Sequence, residues 1–82
     1  MVKLMLFLMF LFTFTFTFAA VNVNKANSAQ LQTLNGIGPS KAQEILTYRK
    51  AHGAFKTVDE LVNVKGIGTK TLQGMKTQVS VR

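Results

Sequence analysis

The chain has 82 residues, a formal net charge of +7 and no cysteine. No disulfide can staple it, and its length allows one small core at most. One histidine (His52) and three acidic residues (Glu44, Asp59 and Glu60), too scattered for a two-metal site, argue against catalysis, so no catalytic residue, metal ligand or cofactor is expected.

In chain order, the first feature is an apolar run from Leu4 to Phe18, interrupted only by threonines, with Lys3 before it and Ala19 and Ala20 after it. A charged start, an apolar middle and a small-residue end predict a signal peptide over residues 1–20. Cleavage after Ala19 places Thr17 at the −3 position, and cleavage after Ala20 places the less suitable Phe18 there. The alternative is an uncleaved membrane anchor, for which the run falls somewhat short of the ~20 residues a spanning helix needs. From Val21 on, nine basic residues stand against three acidic ones, a net charge of +6 on residues 21–82. That balance favours polyanionic partners.

The alternating valines of Val21-Asn22-Val23-Asn24 predict an extended arm laid on the core. Asn27 and Gln30 have capping-box spacing, which starts a helix running to about Leu34 and burying Leu31 and Leu34. After Gly36-Ile37-Gly38, Pro39 suits the first position of a second helix, which runs to about Ala51. Ala42, Ile45, Leu46 and Arg49 share one face of it, and Gly53 ends it. Phe55, the one phenylalanine beyond the leader, is expected in the core. Thr57 and Glu60 predict a second capping box, opening a short helix with Val58, Leu61 and Val64 inward. A last helix is expected from about Thr69 to Val79, burying Leu72, Met75 and Val79. Gly74 weakens it by about 1 kcal/mol relative to alanine.

Two stretches organise these elements: Leu34 to Ala42 and Val64 to Leu72. Each carries an apolar residue, a spacer, Gly-Ile-Gly and a polar triplet with a lysine, and Leu31 repeats as Leu61. A unit used twice is therefore expected, built as helix, tight turn, helix. Glycine permits positive φ and close approach of a ligand, while the isoleucine anchors the turn inward. The N–H groups after the second glycine are unpaired at a helix start and suit an anion, typically a phosphate. The candidate binding residues are Gly36, Ile37, Gly38, Ser40, Lys41, Lys65, Gly66, Ile67, Gly68, Thr69, Lys70 and Thr71. Lys41 and Lys70 are both expected to be exposed. Valine at Gly38 or Gly68 is expected to damage binding partly through the backbone.

These residues resemble the helix-hairpin-helix family in its doubled form. More narrowly, Val21 to Asn27, Leu34 to Ala42, Tyr48-Arg49, His52-Gly53-Ala54-Phe55 and Val64 to Thr71 are similar to the ComEA-type competence proteins. The resemblance covers essentially the whole chain from Val21. It implies a compact all-α tandem domain of four to five short helices over residues 21–82. It also implies sequence-independent binding of double-stranded DNA through the phosphate backbone, without catalysis. The short form resembles a periplasmic receptor for incoming DNA in natural transformation, with a DNA-uptake channel or pilus machinery as a further partner. Gly36, Gly38, Ser40 and Lys41 match the family's phosphate-binding positions in the first hairpin, and Gly66, Gly68, Thr69, Lys70 and Thr71 those in the second. Ala42 fits the family's small residue. Leu72 departs from it and is large enough to push the helices apart; if it distorts the second hairpin, Lys41→Glu is expected to cost more than Lys70→Glu. The competing reading is an exported structural or protein-interaction module of the same fold that binds no DNA.

Overall fold

The computed structural model describes residues 20–82; apart from Ala20, the predicted leader lies outside the described residues. The arm begins with a short strand, β1 (Val21–Asn22). Helix α1 spans Ser28–Leu31, α2 spans Pro39–His52, and a 3₁₀ helix covers Val58–Asn63. Helix α3 (Thr69–Met75) runs into a second 3₁₀ turn (Lys76–Gln78) and then strand β2 (Val79–Ser80). Among the described residues no helix is long and apolar enough to cross a membrane.

The first capping box forms as the spacing predicts. The Asn27 side chain accepts from the Gln30 N–H at 2.8 Å, and the Gln30 side chain accepts from the Asn27 N–H at 2.9 Å. Helix α1 stops earlier than expected. The Thr33 and Leu34 N–H groups turn to carbonyls three residues back, at 3.2 and 3.1 Å, which tightens the chain and drops Leu34 into the core. Helix α2 begins with Pro39 and ends at Gly53, whose φ of 83° is open chiefly to glycine.

The second capping box does not form. Thr57 makes no side-chain cap bond, and Glu60 instead accepts from the Lys56 N–H at 3.0 Å and the Tyr48 hydroxyl at 3.2 Å. The helix that follows is 3₁₀ rather than α, and Glu60 bonds the chain one residue earlier than a capping box requires. The rings of Tyr48 and Phe55 stack with centroids 5.1 Å apart, so this linker is fixed to α2.

The chain also departs from pure helix at its end. Val79 belongs to β2, which pairs in parallel with β1 in the register Val21↔Val79 and Asn22↔Ser80. The Val23 N–H continues the pairing onto the Ser80 carbonyl at 3.0 Å. An extended ending buries Val79 and gives the arm backbone partners that a continued helix could not offer. The expected arm is thus present, with Val23 buried and Val21 packed against the core. The fold remains an all-helical domain with one small two-stranded addition. Gly74 faces open space, with nothing within 4 Å of the place a Cβ would occupy, and no packing reason for its glycine emerges.

The thirty-residue repeat is a structural one. Leu31 and Leu61, Leu34 and Val64, Ile37 and Ile67, Ala42 and Leu72, and Ile45 and Met75 are all buried in one core. Each hairpin therefore supplies the same five positions to a shared interior, which neither could enclose alone.

Candidate nucleic-acid interface

The two turns have nearly the same backbone. Gly36 and Gly66 take φ of 80° and 90°, and no non-glycine residue among those described does so. The Ile37 N–H returns to the Leu34 carbonyl at 3.1 Å, and the Ile67 N–H to Val64 at 3.0 Å. Gly38 (φ −93°, ψ −170°) and Gly68 (φ −96°, ψ −179°) then sit at the N-caps of α2 and α3. Their carbonyls accept from the Ala42 and Leu72 N–H groups, both at 3.0 Å. Leu72 is buried, and the second turn keeps nearly the dihedrals of the first.

Positive φ belongs only to the first glycine of each turn. Gly38 and Gly68 lie in extended backbone that any residue adopts, and nothing stands within 4 Å of the place a Cβ would occupy. The expected backbone penalty for substituting them is therefore absent. Neither the fold's dihedrals nor its packing requires glycine there. A helix start ordinarily favours Ser, Thr, Asp or Asn, whose side chain bonds an N–H of the first turn. Both N-caps forgo that bond. Among the described residues, the N–H groups of Gly38, Ser40 and Lys41 in one turn and of Gly68, Thr69, Lys70 and Thr71 in the other find no protein acceptor. Neither N-cap residue has a side chain that competes for these amides.

The candidate side chains divide by burial. Ser40, Lys65, Thr69 and Lys70 are exposed, as are the four turn glycines. Ile37 and Ile67 are buried, so they shape the turns and present only backbone to a ligand. Lys41 is half-buried, contrary to expectation, because its stem lies across Gly66 of the other hairpin and its ammonium donates to the Gly36 carbonyl at 3.3 Å. Thr71 is half-buried as well, with its methyl carbon 3.5 Å from the Cβ position of Gly36.

Those two contacts are reciprocal. Position 36 meets 71 and position 66 meets 41, and each pair is the other shifted by one repeat. Two copies that touch through the same patch in both directions are related by an approximate two-fold axis. The axis passes through the seam between the turns, which sets both turns side by side.

Charge adds to the geometry. Among the described residues the one ion pair joins Lys76 to Asp59 at 3.1 Å, an exposed contact worth little stability. Lys41, Lys65 and Lys70 have no carboxylate within ion-pair distance and keep their full positive field. Among the described residues no cluster of His, Cys, Asp or Glu is placed to hold a metal ion. His52 stacks on Tyr48 with centroids 4.3 Å apart, at the end of α2.

Sequence reasoning missed the ties that hold the first turn. The Asn35 N–H donates to the Gln78 side chain at 3.0 Å, and its amide donates to the Gly74 carbonyl at 3.2 Å. The equivalent position in the second repeat is Lys65, which is exposed. That exchange of amide for lysine within the repeat was the available signal.

The chain belongs to the helix-hairpin-helix family: the family model described as "Helix-hairpin-helix motif" matches residues 17–80. ComE operon protein 1 of Bacillus subtilis is 41% identical over 62 residues, which is 76% of this chain and 30% of that protein. An uncharacterized protein of Haemophilus influenzae is 43% identical over 54 residues, 65% of this chain and 48% of that protein. The human endonuclease/exonuclease/phosphatase family domain-containing protein 1 is 37% identical over 59 residues, only 10% of its length. The chain thus spans less than half of each of these relatives, and the last likeness is confined to a tenth of a protein whose name refers to enzymes.

Proposed function

We propose that residues 21–82 form a DNA-binding domain that holds double-stranded DNA by its phosphates without reading sequence. The observation that carries this reading is the pair of side-by-side turns whose amides are uncapped, beside lysines free of acid partners. Two such turns related by a two-fold axis match the chemistry of two phosphates on a polyanionic duplex. The turn amides, and Ser, Thr and Lys side chains directed at phosphate oxygens, fix position on a duplex and carry no sequence information. Membership of the helix-hairpin-helix family and the likeness to ComE operon protein 1 support the same reading.

The test is a polarisation titration of residues 21–82 with unrelated duplexes at several salt concentrations. All should bind alike, with dissociation constants of about 10⁻⁴ to 10⁻⁶ M near physiological salt. Lys70→Glu, at an exposed position, should weaken binding and lower the slope of log affinity against log salt by roughly 0.9, with helical circular dichroism unchanged. A preference above about a hundredfold for one sequence requires base contacts and would contradict the proposal. Undetectable binding would put the protein-interaction reading first.

We further propose that the domain works outside the inner membrane, as a receptor in DNA uptake with channel or pilus components as partners. The charged, apolar and small-residue pattern of residues 1–20 supports export, and the ComEA-type resemblance supports the receptor role. Mass spectrometry of the exported protein should find a chain starting at Ala20 or Val21. An intact Met1 in the membrane fraction would replace the periplasmic reading with an anchored one.

A further inference from the structure

The two turns share their backbone but not their support. Asn35, the residue before the positive-φ Gly36, is fastened on two sides to the far end of the chain. Its N–H donates to the Gln78 side chain at 3.0 Å, and its side-chain amide donates to the Gly74 carbonyl at 3.2 Å. The equivalent residue of the second turn, Lys65, has neither bond among the described residues. The reason lies in helix length. One repeat before Gly74 and Gln78 stand Glu44 and Tyr48, both inside α2 (Pro39–His52). There the helix runs on, so the Glu44 carbonyl is spent on the helix ladder, and the Tyr48 hydroxyl bonds Glu60. Helix α3 instead ends at Met75 and gives way to the 3₁₀ turn Lys76–Gln78. Carbonyls in the last turn of a helix lose their ladder partners, and Asn35 takes up that of Gly74. Gln78 immediately precedes β2, whose pairing with β1 fixes the chain there.

We infer that Gln78 is a positioning residue for the first hairpin: with Asn35 and the Gly74 carbonyl it braces the Gly36-Ile37-Gly38 turn in its binding shape before DNA arrives. The second turn has no such brace. Gln78 needs no contact with DNA in this role, because it acts through the backbone of Asn35. The inference rests on the DNA-binding reading above. Order already present in the free domain need not be imposed at binding, so the brace adds affinity without adding charge.

The experiment compares wild type, Gln78→Met, Gln78→Glu, Asn35→Ala and, as a control, Lys70→Glu, in residues 21–82, which contain the whole core. Each is titrated with one duplex across a salt series. Methionine keeps the length of the side chain but removes the acceptor, and glutamate keeps the acceptor. Asn35→Ala, at an exposed position, removes only the bond to Gly74. Gln78→Met should weaken binding about three- to tenfold, the scale of ordering one segment at binding. Its salt slope should stay at the wild-type value, because no cation is lost. In the free domain, backbone ¹⁵N order parameters of Gly36, Ile37 and Gly38 should fall, while those of Gly66, Ile67 and Gly68 stay unchanged. Asn35→Ala should move both readouts in the same direction, and Gln78→Glu should keep the order of the first turn. A merely structural role for Gln78 would lower the melting temperature and leave affinity and first-turn order at wild type; that result would overturn the inference. So would a first turn as loose in Gln78→Glu as in Gln78→Met. Should Gln78→Met fail to fold, Asn35→Ala decides by the same two readouts. If the wild type shows no salt-dependent binding, the DNA reading fails and the inference with it. If Lys70→Glu weakens binding while Gln78→Met and Asn35→Ala do not, the DNA reading stands and the brace falls.

Discussion

Replacing Gly38 and Gly68 together by aspartate is expected to abolish DNA binding while leaving the domain folded, and slightly more stable. Both glycines sit at N-caps with extended backbone and open space around the Cβ position, so the new side chain enters without strain. Aspartate at an N-cap bonds a first-turn N–H and is favoured by the helix dipole, a gain of a few tenths to about 1 kcal/mol per helix. That bond consumes the amide proposed for phosphate and sets a carboxylate in its place. With about tenfold lost per phosphate contact at ~0.1 M salt, the pair should lose about a hundredfold or more. Polarisation titration and a thermal melt on the same sample are the measurement. A double variant that melts at or above wild type and still binds duplex equally well would show that these amides do not hold phosphate. Aspartate at Gly36 or Gly66 is no substitute for this test, because φ of 80° and 90° strains any side chain.

Asn24→Ala is expected to produce the largest loss of stability among single polar substitutions. The Asn24 side chain accepts from the Phe55 N–H at 2.6 Å, and donates to the Phe55 carbonyl at 3.0 Å and the Val81 carbonyl at 2.9 Å. One side chain thus joins the arm, the linker between hairpins and the segment after β2. Alanine leaves the backbone of the buried Phe55 without its partners, at about 1–3 kcal/mol for each unsatisfied group. A domain of this size holds only ~3–9 kcal/mol in all. A loss of about 3 kcal/mol would lower the melting temperature by roughly 12 °C or more. Asn24→Asp keeps the acceptor but turns charge on two carbonyls, and should not rescue it. A melting temperature within about 3 °C of wild type for Asn24→Ala would mean that the arm is not integral to the fold.

Much of this was legible along the chain because it depends on neighbours a few residues apart. The Asn27–Gln30 capping box, Pro39 at a helix start, Gly53 at a helix end and the two Gly-Ile-Gly turns are local chemistry, and each sits where its spacing placed it. The repeat added the pairing of core positions, since two units of the same fold bury equivalent positions. The apolar character of Phe55 and Val23 likewise pointed to the core they occupy.

Other features were decided by residues far apart in sequence. Thr57 and Glu60 had capping spacing, but Glu60 is drawn to the Tyr48 hydroxyl and the Lys56 N–H instead. The last helix had the pattern to reach Val79, yet the arm offers that segment a strand partner, and the chain unwinds to take it. Local propensity could not weigh that gain, because it comes from β1, at the opposite end of the domain. Gly38 and Gly36 look alike in sequence, and only the folded backbone distinguishes the glycine needed for φ from the one left open to a ligand. Lys41 and Lys70 likewise read as equivalent hairpin lysines. The two-fold packing separates them, leaving Lys70 in solvent and laying the stem of Lys41 against Gly66 of the other unit while its ammonium bonds Gly36 of its own turn.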